Sequence, residues 1–284
     1  MKKKKWSKEK RKKLLYTVIT LIVLVIFLFP IYWMVITSLK SSAEIFAREP
    51  TFFPRKIDFG GYIAQLKRGN TVPFETNLKN SLLIAVLTTV ISTGLATLSA
   101  YGLARFRLKF NRATLLVVLI TQMIPAVLFL SPLFIILQKI GLLNTLLAPV
   151  LYVCIFSIPF CIVTLRPFFL SIPRELEDAA AVDGCGKFGT FFRIMVPISY
   201  PGIITSAAFT FIWGWGDLMG ALTFLQDDKL YPLTVNMYKS ITEYGVDWSG
   251  LMAFSVILTI PVVLIFVLFQ KYLVSGLTSG AVKG

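Results

Sequence analysis

The chain has 284 residues, of which 56% are hydrophobic and 15% charged, with a mean hydropathy of +0.76 and a formal net charge of +15. This balance excludes an ordinary soluble domain, whose apolar and charged fractions are both more moderate, and it makes lipid part of the solvent. With no histidine at all, histidine acid–base chemistry and histidine-ligated metals are excluded, and three cysteines without a framework suggest neither a disulfide array nor a metal site.

The N-terminus, MKKKKWSKEKRKK, leads into an apolar run. A signal peptide has the same basic and apolar regions, but no convincing small-residue cleavage site follows and the run is long enough to span, which predicts a retained first helix at 14–39. A hydrocarbon core of about 30 Å needs about 20 apolar residues in a helix that satisfies its own backbone. Five further stretches fit, at 80–104, 113–137, 145–165, 202–225 and 251–270. An outer segment from Lys40 to Lys79, with Pro50, Pro54, Gly60, Gly61, Gly69 and Pro73, reads as a folded but irregular loop ahead of a five-span core. The loop before the last span mixes polar and aromatic residues; it can cap a cavity, meet a soluble partner or simply connect. Pro30, Pro125, Pro132, Pro149, Pro159 and Pro261 fall within spans and predict kinks, fitted either to a pathway or to packing. No repeat of fixed period is present.

Counting cations on alternate sides gives the orientation. The N-terminus, the loop Arg105 to Arg112, the 166–200 segment and the C-terminal tail hold 19 of the 29 cations, and acids are biased to the opposite side. Both termini are therefore expected to be cytoplasmic. This asymmetry and contact with anionic lipid account for the net charge without nucleic acid.

The one sizeable polar interlude of the second half is ELEDAAAVDGCGKFGTFFRIMVP, residues 175–197. Pro173 stands at a helix start, and Glu175, Glu177 and Asp178 put negative charge where the helix dipole favours it. Ala179, Ala180 and Ala181 continue that helix with little bulk, so another surface can approach its backbone. Gly184 and Gly186 end it, and Lys187 to Val196 form a second short helix whose Phe188, Phe191, Phe192, Ile194 and Met195 make more than one apolar stripe, stopped by Pro197. These aromatics either lie against the ends of the protein's own spans or enter a partner's groove. Gly184-Cys185-Gly186-Lys187 lacks the spacing and the following Ser or Thr of a Walker A loop, so the chain does not bind ATP by that route.

The run Asp178-Ala179-Ala180, then Asp183-Gly184, then Ile194, Val196 and Pro197 resembles the EAA…G…I-LP signature of the inner-membrane permease subunits of binding-protein-dependent ABC importers. Asp178 replaces the usual Glu and Val196 the usual Leu. The resemblance implies an all-α polytopic fold of six transmembrane helices, the type I importer fold. Residues 1–76 would form the basic N-terminus, first helix and outer loop, 77–271 the permease core, and 272–284 a cytoplasmic tail. It makes 173–197 a coupling helix docking in a cytoplasmic ATPase, with Glu175, Asp178, Ala179, Ala180, Asp183, Gly184, Phe188, Ile194 and Pro197 at the contact. Implied partners are a second permease subunit, two ATPases holding ATP and Mg, and an extracytoplasmic binding protein; this chain itself binds no cofactor and is not an enzyme. The ending Gln270 to Gly284 is similar to the second permease subunit of maltose-type carbohydrate importers, which implies a tail reaching the ATPases through Ser279, Gly280, Ala281 and Lys283. FIWGWGDLMGALTFL is similar to the fifth span of carbohydrate permeases, with Gly216 in place of the usual Asn.

Asp217 is the only acid within a predicted span, and burying it costs about 2.5–3.5 kcal/mol, so it should face a polar cavity or a partner. Trp213 and Trp215 can stack on a sugar ring, and Thr121 and Gln122 lie beside the Pro125 kink. Packing is the competing explanation, because Gly216 and Gly220 form a small-xxx-small pair. Three other function classes have distinct signatures. A non-carbohydrate permease for amino acids, peptides or anions would lack the tail and fifth-span similarities, a secondary transporter would show inverted repeats and more intramembrane ionisable groups, and a membrane enzyme would show a catalytic constellation.

Overall fold

The computed structural model describes residues 8–67, 72–107, 109–242 and 245–278, and these are predominantly helical. In chain order the helices are α1 (Lys8–Ser38), α2 (Ser42–Ile45), α3 (Gly60–Lys67), α4 (Phe74–Arg105), α5 (Asn111–Thr121), α6 (Leu130–Lys139), α7 (Leu147–Ser171), α8 (Glu175–Val182), α9 (Lys187–Thr190), α10 (Val196–Ile198), α11 (Tyr200–Gly216), α12 (Met219–Phe224), α13 (Leu233–Tyr238) and α14 (Trp248–Thr278). A minimal antiparallel hairpin pairs β1 (Ile241–Thr242) with β2 (Gly245–Val246).

Among the described residues, four helices are long and apolar enough to cross a membrane: Lys8–Ser38, Phe74–Arg105, Leu147–Ser171 and Trp248–Tyr272. Two bent pairs bring the number to the expected six only if each counts as one crossing: Asn111–Thr121 with Ala126–Lys139 at 98°, and Lys187–Ile198 with Tyr200–Gly216 at 76°. The kink expected at Pro125 in the predicted span at 113–137 is a full break, which corrects the expectation of one helix there. Pro125 is extended (φ −56°, ψ 128°) and opens a single tight turn, Ala126–Phe129, before α6. The predicted span at 202–225 is corrected as well, since α11 ends at Gly216, Asp217 is extended (φ −65°, ψ 120°) and α12 begins afresh. Pro30, Pro159 and Pro261 lie inside continuous helices, whereas Pro132 and Pro149 fall in the first turns of α6 and α7, where an amide has no intrahelical acceptor to lose.

The chain divides into two compact units, Met1–Arg68 with Lys239–Ile257 and Gly69–Tyr238 with Leu258–Gly284. In the first, α3 meets the start of α14 closely: a Cβ on Gly61 would stand 2.8 Å from the Ser249 carbonyl oxygen. Asp247 accepts the Gly250 amide at 3.0 Å and so caps α14. The irregular segment after α1 is pinned by Glu44, which accepts the Thr51 hydroxyl at 2.6 Å and the Arg55 amide at 3.0 Å. The Thr51 hydroxyl foremost, then the Arg55 amide, hold the Glu44 carboxyl below its ordinary value.

In the second unit α4, α7 and α11 pack together. The buried face of α4 is a row of small side chains, Ser81, Ala85, Thr88, Ser92, Ala96 and Ala100, spaced three or four residues apart so that they share one face. Small residues let helix backbones approach in lipid, where apolar area alone does not drive association. Hydroxyls and thiols complete the contact: Ser92 Oγ lies 2.7 Å from Ser157 Oγ, and Cys161 Sγ lies 3.2 Å from Thr210 Oγ1. α11 comes close to the α4 backbone at Gly214, where a Cβ would fall 2.9 Å from Ala85 Cα and 3.2 Å from Thr88 Cβ. Gly214→Val should therefore force α11 off α4 and cost about 1–3 kcal/mol, read as a lower unfolding temperature of the purified chain. Gly216→Ala, with nothing within 4 Å of its Cβ position, should leave that temperature unchanged.

The stretch after α12 is packed rather than free. Asn77 and Asn80 at the start of α4 donate to the carbonyls of Tyr231 and Lys229 at 2.7 and 2.8 Å, and Ser81 Oγ accepts the Leu233 amide at 2.8 Å. Asn144, with φ 59°, accepts the amides of Gln226 and Asp227 through one side-chain oxygen at 2.8 and 3.0 Å.

Candidate functional site

The segment from Arg174 to Ile198 folds as a helical hairpin at the end of α4 and α7. Its first helix opens on the Arg174 carbonyl, which accepts the amides of Glu177 and Asp178 at 2.9 and 3.1 Å. It closes in a Schellman turn: Gly184, at φ +76°, donates to Ala181, and Cys185 donates to Ala180 at 2.8 Å. The second arm is α9, a π-helical turn Phe191–Met195 and α10 in succession, with the Val196 amide bonded to Phe191. The sequence expectation that Pro197 stops this arm is corrected: the helix runs on to Ile198 and bends at Ser199. Having no N–H, Pro197 cannot complete an α-type bond to Arg193, and the preceding turn is widened to the π spacing.

The aromatics divide between the two faces of the hairpin, and one of the two fates foreseen, packing against the protein's own spans, falls to Phe191. Phe191 (3% exposed) and Met195 (0%) are buried with Ala100, Leu103, Leu165 and Phe169, and Tyr101 packs on Phe191 at 4.9 Å between centroids. Phe188 (78%), Phe192 (60%) and Val182 (87%) face outward. Ala180 is buried, while Ala179, Glu175, Asp178, Asp183, Gly184 and Pro197 are exposed and Ile194 is half-buried. Polar anchors reinforce the inner face. Arg105 Nε lies 3.0 Å from Glu177 Oε1, its Nη2 donates to the Ile172 carbonyl at 2.6 Å, and Lys187 Nζ sits over the Phe106 ring at 5.5 Å.

A second cluster lies along α7. Gln122 Nε2, at the break after α5, donates to the Phe156 carbonyl at 3.1 Å, and the Trp213 ring meets Phe156 and Phe160 edge-on at 5.7 and 4.8 Å. Gln122 and Trp213 are thus brought together on Phe156. Trp215 stands apart: it is 3% exposed, stacked on Phe211, and its indole N–H donates to the Leu258 carbonyl at 3.0 Å. Asp217 accepts the amides of Gly220 and Ala221 at 3.2 and 3.1 Å, and its carbonyl accepts the Thr234 hydroxyl at 2.7 Å.

Residues 92–279 match the family model described as "Binding-protein-dependent transport system inner membrane component". The chain belongs to this family. The permease is 36% identical over 263 residues to the sulfoquinovosyl glycerol transport system permease protein SmoH of Agrobacterium fabrum, covering 93% of this chain and 91% of that protein. It is 33% identical over 279 residues to the trehalose/maltose transport system permease protein MalG of Thermococcus litoralis, covering 96% and 98% of the two chains. In fold it matches a chain of a bacterial ABC transporter involved in the import of the acidic polysaccharide alginate, with a TM-score of 0.77 and 23% identity over 95% of this chain and 99% of that one.

Two parts of the permease's site were not visible as such in the sequence. Arg105 read only as one cation of an inner loop, and Glu177 only as a dipole residue; nothing in their spacing joins them. The expected tail contacts, Ser279, Gly280, Ala281 and Lys283, lie outside the described residues. Asp217 acts on its own backbone as a helix cap, whose loss costs about 0.5–2 kcal/mol. Asp217→Ala should accordingly lower the permease's unfolding temperature, while Asp217→Asn, an equally good cap, should keep it and keep uptake; loss of uptake in the Asn variant alone would assign the charge to the solute.

Proposed function

We propose that this chain is the pathway subunit of an ATP-driven importer that takes up a sugar or oligosaccharide delivered by an extracytoplasmic binding protein. The observation that carries the reading is the two-sided hairpin: one face is locked into α4 and α7, and the other exposes Val182, Phe188 and Phe192. Exposed aromatics outside the spans suit a partner's groove, and the cation bias puts this end in the cytoplasm. The partner is one of two ATPase subunits, which hold ATP and Mg. Their closure pushes the hairpin, and the push passes through Phe191, Met195 and the Arg105–Glu177 pair into α4 and α7, and through the bend at Ser199 into α11. Such a rigid connection lets one bistable motion switch access from one side to the other.

The relatives named for trehalose/maltose and sulfoquinovosyl glycerol transport support a carbohydrate solute. A sugar stripped of water needs replacement hydrogen bonds, at about 2–7 kcal/mol for each bare hydroxyl. Gln122 and the half-exposed Trp213 offer an amide and a ring face for this, between this subunit and a second, homologous permease. Trp215 and Asp217 support that surface from behind. The tail, through Ser279, Gly280, Ala281 and Lys283, reaches the ATPase pair.

Purification from native membranes in mild detergent is expected to yield the chain with one further permease and two ATPase copies, active on a labelled oligosaccharide only when the binding protein is added. A homogeneous, transport-competent homo-oligomer free of nucleotide-binding subunits would refute the assignment.

A further inference from the structure

Beside the hairpin, at the same end of the second unit, a cavity of about 550 Å³ is lined by Lys109, Phe110, Asn111, Arg112, Leu115 and Arg166. Three of the lining residues are cations, contributed by two separate segments: Lys109 and Arg112 from the entry into α5, and Arg166 from α7. Among the described residues none of them pairs with a carboxylate, the ion pair of this region being Arg105–Glu177. Arg166 Nε is buried without a hydrogen-bond partner, and so is Asn111 Oδ1, whose Nδ2 is occupied by the Leu103 carbonyl at 3.0 Å. A buried guanidinium donor without an acceptor is costly unless an anion completes it. The start of α5 adds to the same field, since Phe110 at its N-cap has no side-chain acceptor for the first amides. Below the cavity α5 turns Leu116, Val117, Leu119 and Ile120 outward, an apolar face suited to acyl chains.

We propose that this cavity binds a phosphate-bearing anion, held by Arg166 and Arg112 with Lys109 at the rim, and that a hydroxyl on the same ligand donates to Asn111 Oδ1. Phosphate is the fitting chemistry because guanidinium groups bind its oxygens in pairs of parallel hydrogen bonds. The headgroup of an anionic glycerophospholipid and a free phosphate share it. The site is separate from the exposed face of the hairpin, and its occupancy can be measured without transport.

The full-length chain is reconstituted in nanodiscs, first in phosphatidylcholine with phosphatidylglycerol, and the lipid retained after extraction is counted by native mass spectrometry. Retained phosphatidylglycerol is expected, falling about fivefold for each cation removed in Arg112→Gln and Arg166→Gln and unchanged in Arg107→Gln, an exposed cation outside the cavity. That result assigns the site to lipid. In pure phosphatidylcholine, inorganic phosphate is titrated calorimetrically; binding abolished by Arg112→Gln, with no selective lipid retention, assigns it to a free anion. Arg112 is exposed, so its variant tests the site even if Arg166→Gln fails to fold. Equal behaviour of wild type and Arg112→Gln in both arms, or an equal loss in Arg107→Gln, would overturn the proposal.

Discussion

Gly184→Asp is expected to leave the chain inserted and folded while reducing ATP-driven uptake by more than tenfold. Gly184 closes the first arm of the hairpin at φ +76°, where a side chain costs about 1–2 kcal/mol. No atom lies within 4 Å of its Cβ position, so there is no clash to add. A negative charge at the C-terminus of α8 opposes the helix dipole by about 0.3–1 kcal/mol more. Those penalties are too small to unfold a polytopic bundle, yet they fall on an exposed turn between the apolar residues Val182 and Phe188, where a charge would have to be desolvated on docking. Gly184→Asn separates the two effects, because asparagine tolerates the left-handed conformation and brings no charge; it should retain most uptake. Phe188→Ala should behave as Gly184→Asp does, since a side chain 78% exposed contributes little to folding. ATP hydrolysis measured beside uptake in proteoliposomes distinguishes uncoupling from loss of protein.

Arg105→Ala is expected to be worse for the chain itself. Arg105 is 5% exposed, and its removal leaves Glu177 and the Ile172 carbonyl without a donor at the root of the hairpin. Breaking one partner of a buried pair costs about 3–5 kcal/mol; Glu177, 22% exposed, recovers part of its hydration, which puts the loss at the lower end of that range. The hairpin should become sensitive to limited proteolysis between α7 and α8, and uptake should fall with it. Arg105→Lys keeps the charge but not the forked geometry that serves two acceptors, and it should rescue only partly. The double exchange Arg105→Glu with Glu177→Arg should recover more activity than either single change, a coupling that an unrelated surface charge would not show.

The sequence made the long helices legible for a plain reason: α1, α4, α7 and α14 are apolar runs whose length alone decides. The breaks were harder. Pro30, Pro125, Pro159 and Pro261 look alike in sequence, yet only Pro125 interrupts its helix, because neighbouring packing rather than residue type decides whether a freed carbonyl is tolerated. The apolar run past Gly216 disguised the end of α11, and Asp217 caps the next helix through the Gly220 and Ala221 amides, a local role that its position in an apolar run did not show. In the hairpin the turn was readable from Gly184, whereas the division of labour between Phe191 inside and Phe188 and Phe192 outside was not. Its aromatics make more than one stripe, and the π turn before Pro197 shifts their register. The link between Arg105 and Glu177 joins residues far apart in sequence and leaves no periodic trace. Gly214 packs on α4 and Gly220 on Tyr152 of α7, while Gly216 meets nothing within 4 Å, and only the facing surfaces distinguish one glycine from another.

In the proposed assembly the outward face of the hairpin is held by a nucleotide hydrolase. A photo-crosslinking amino acid placed in turn at 182, 188, 191 and 192 in the assembled transporter tests it directly. Capture of the ATPase subunit from 182, 188 and 192, with only intrachain products from the buried position 191, is the predicted pattern. Failure of all three outward positions to capture any nucleotide hydrolase would contradict the account.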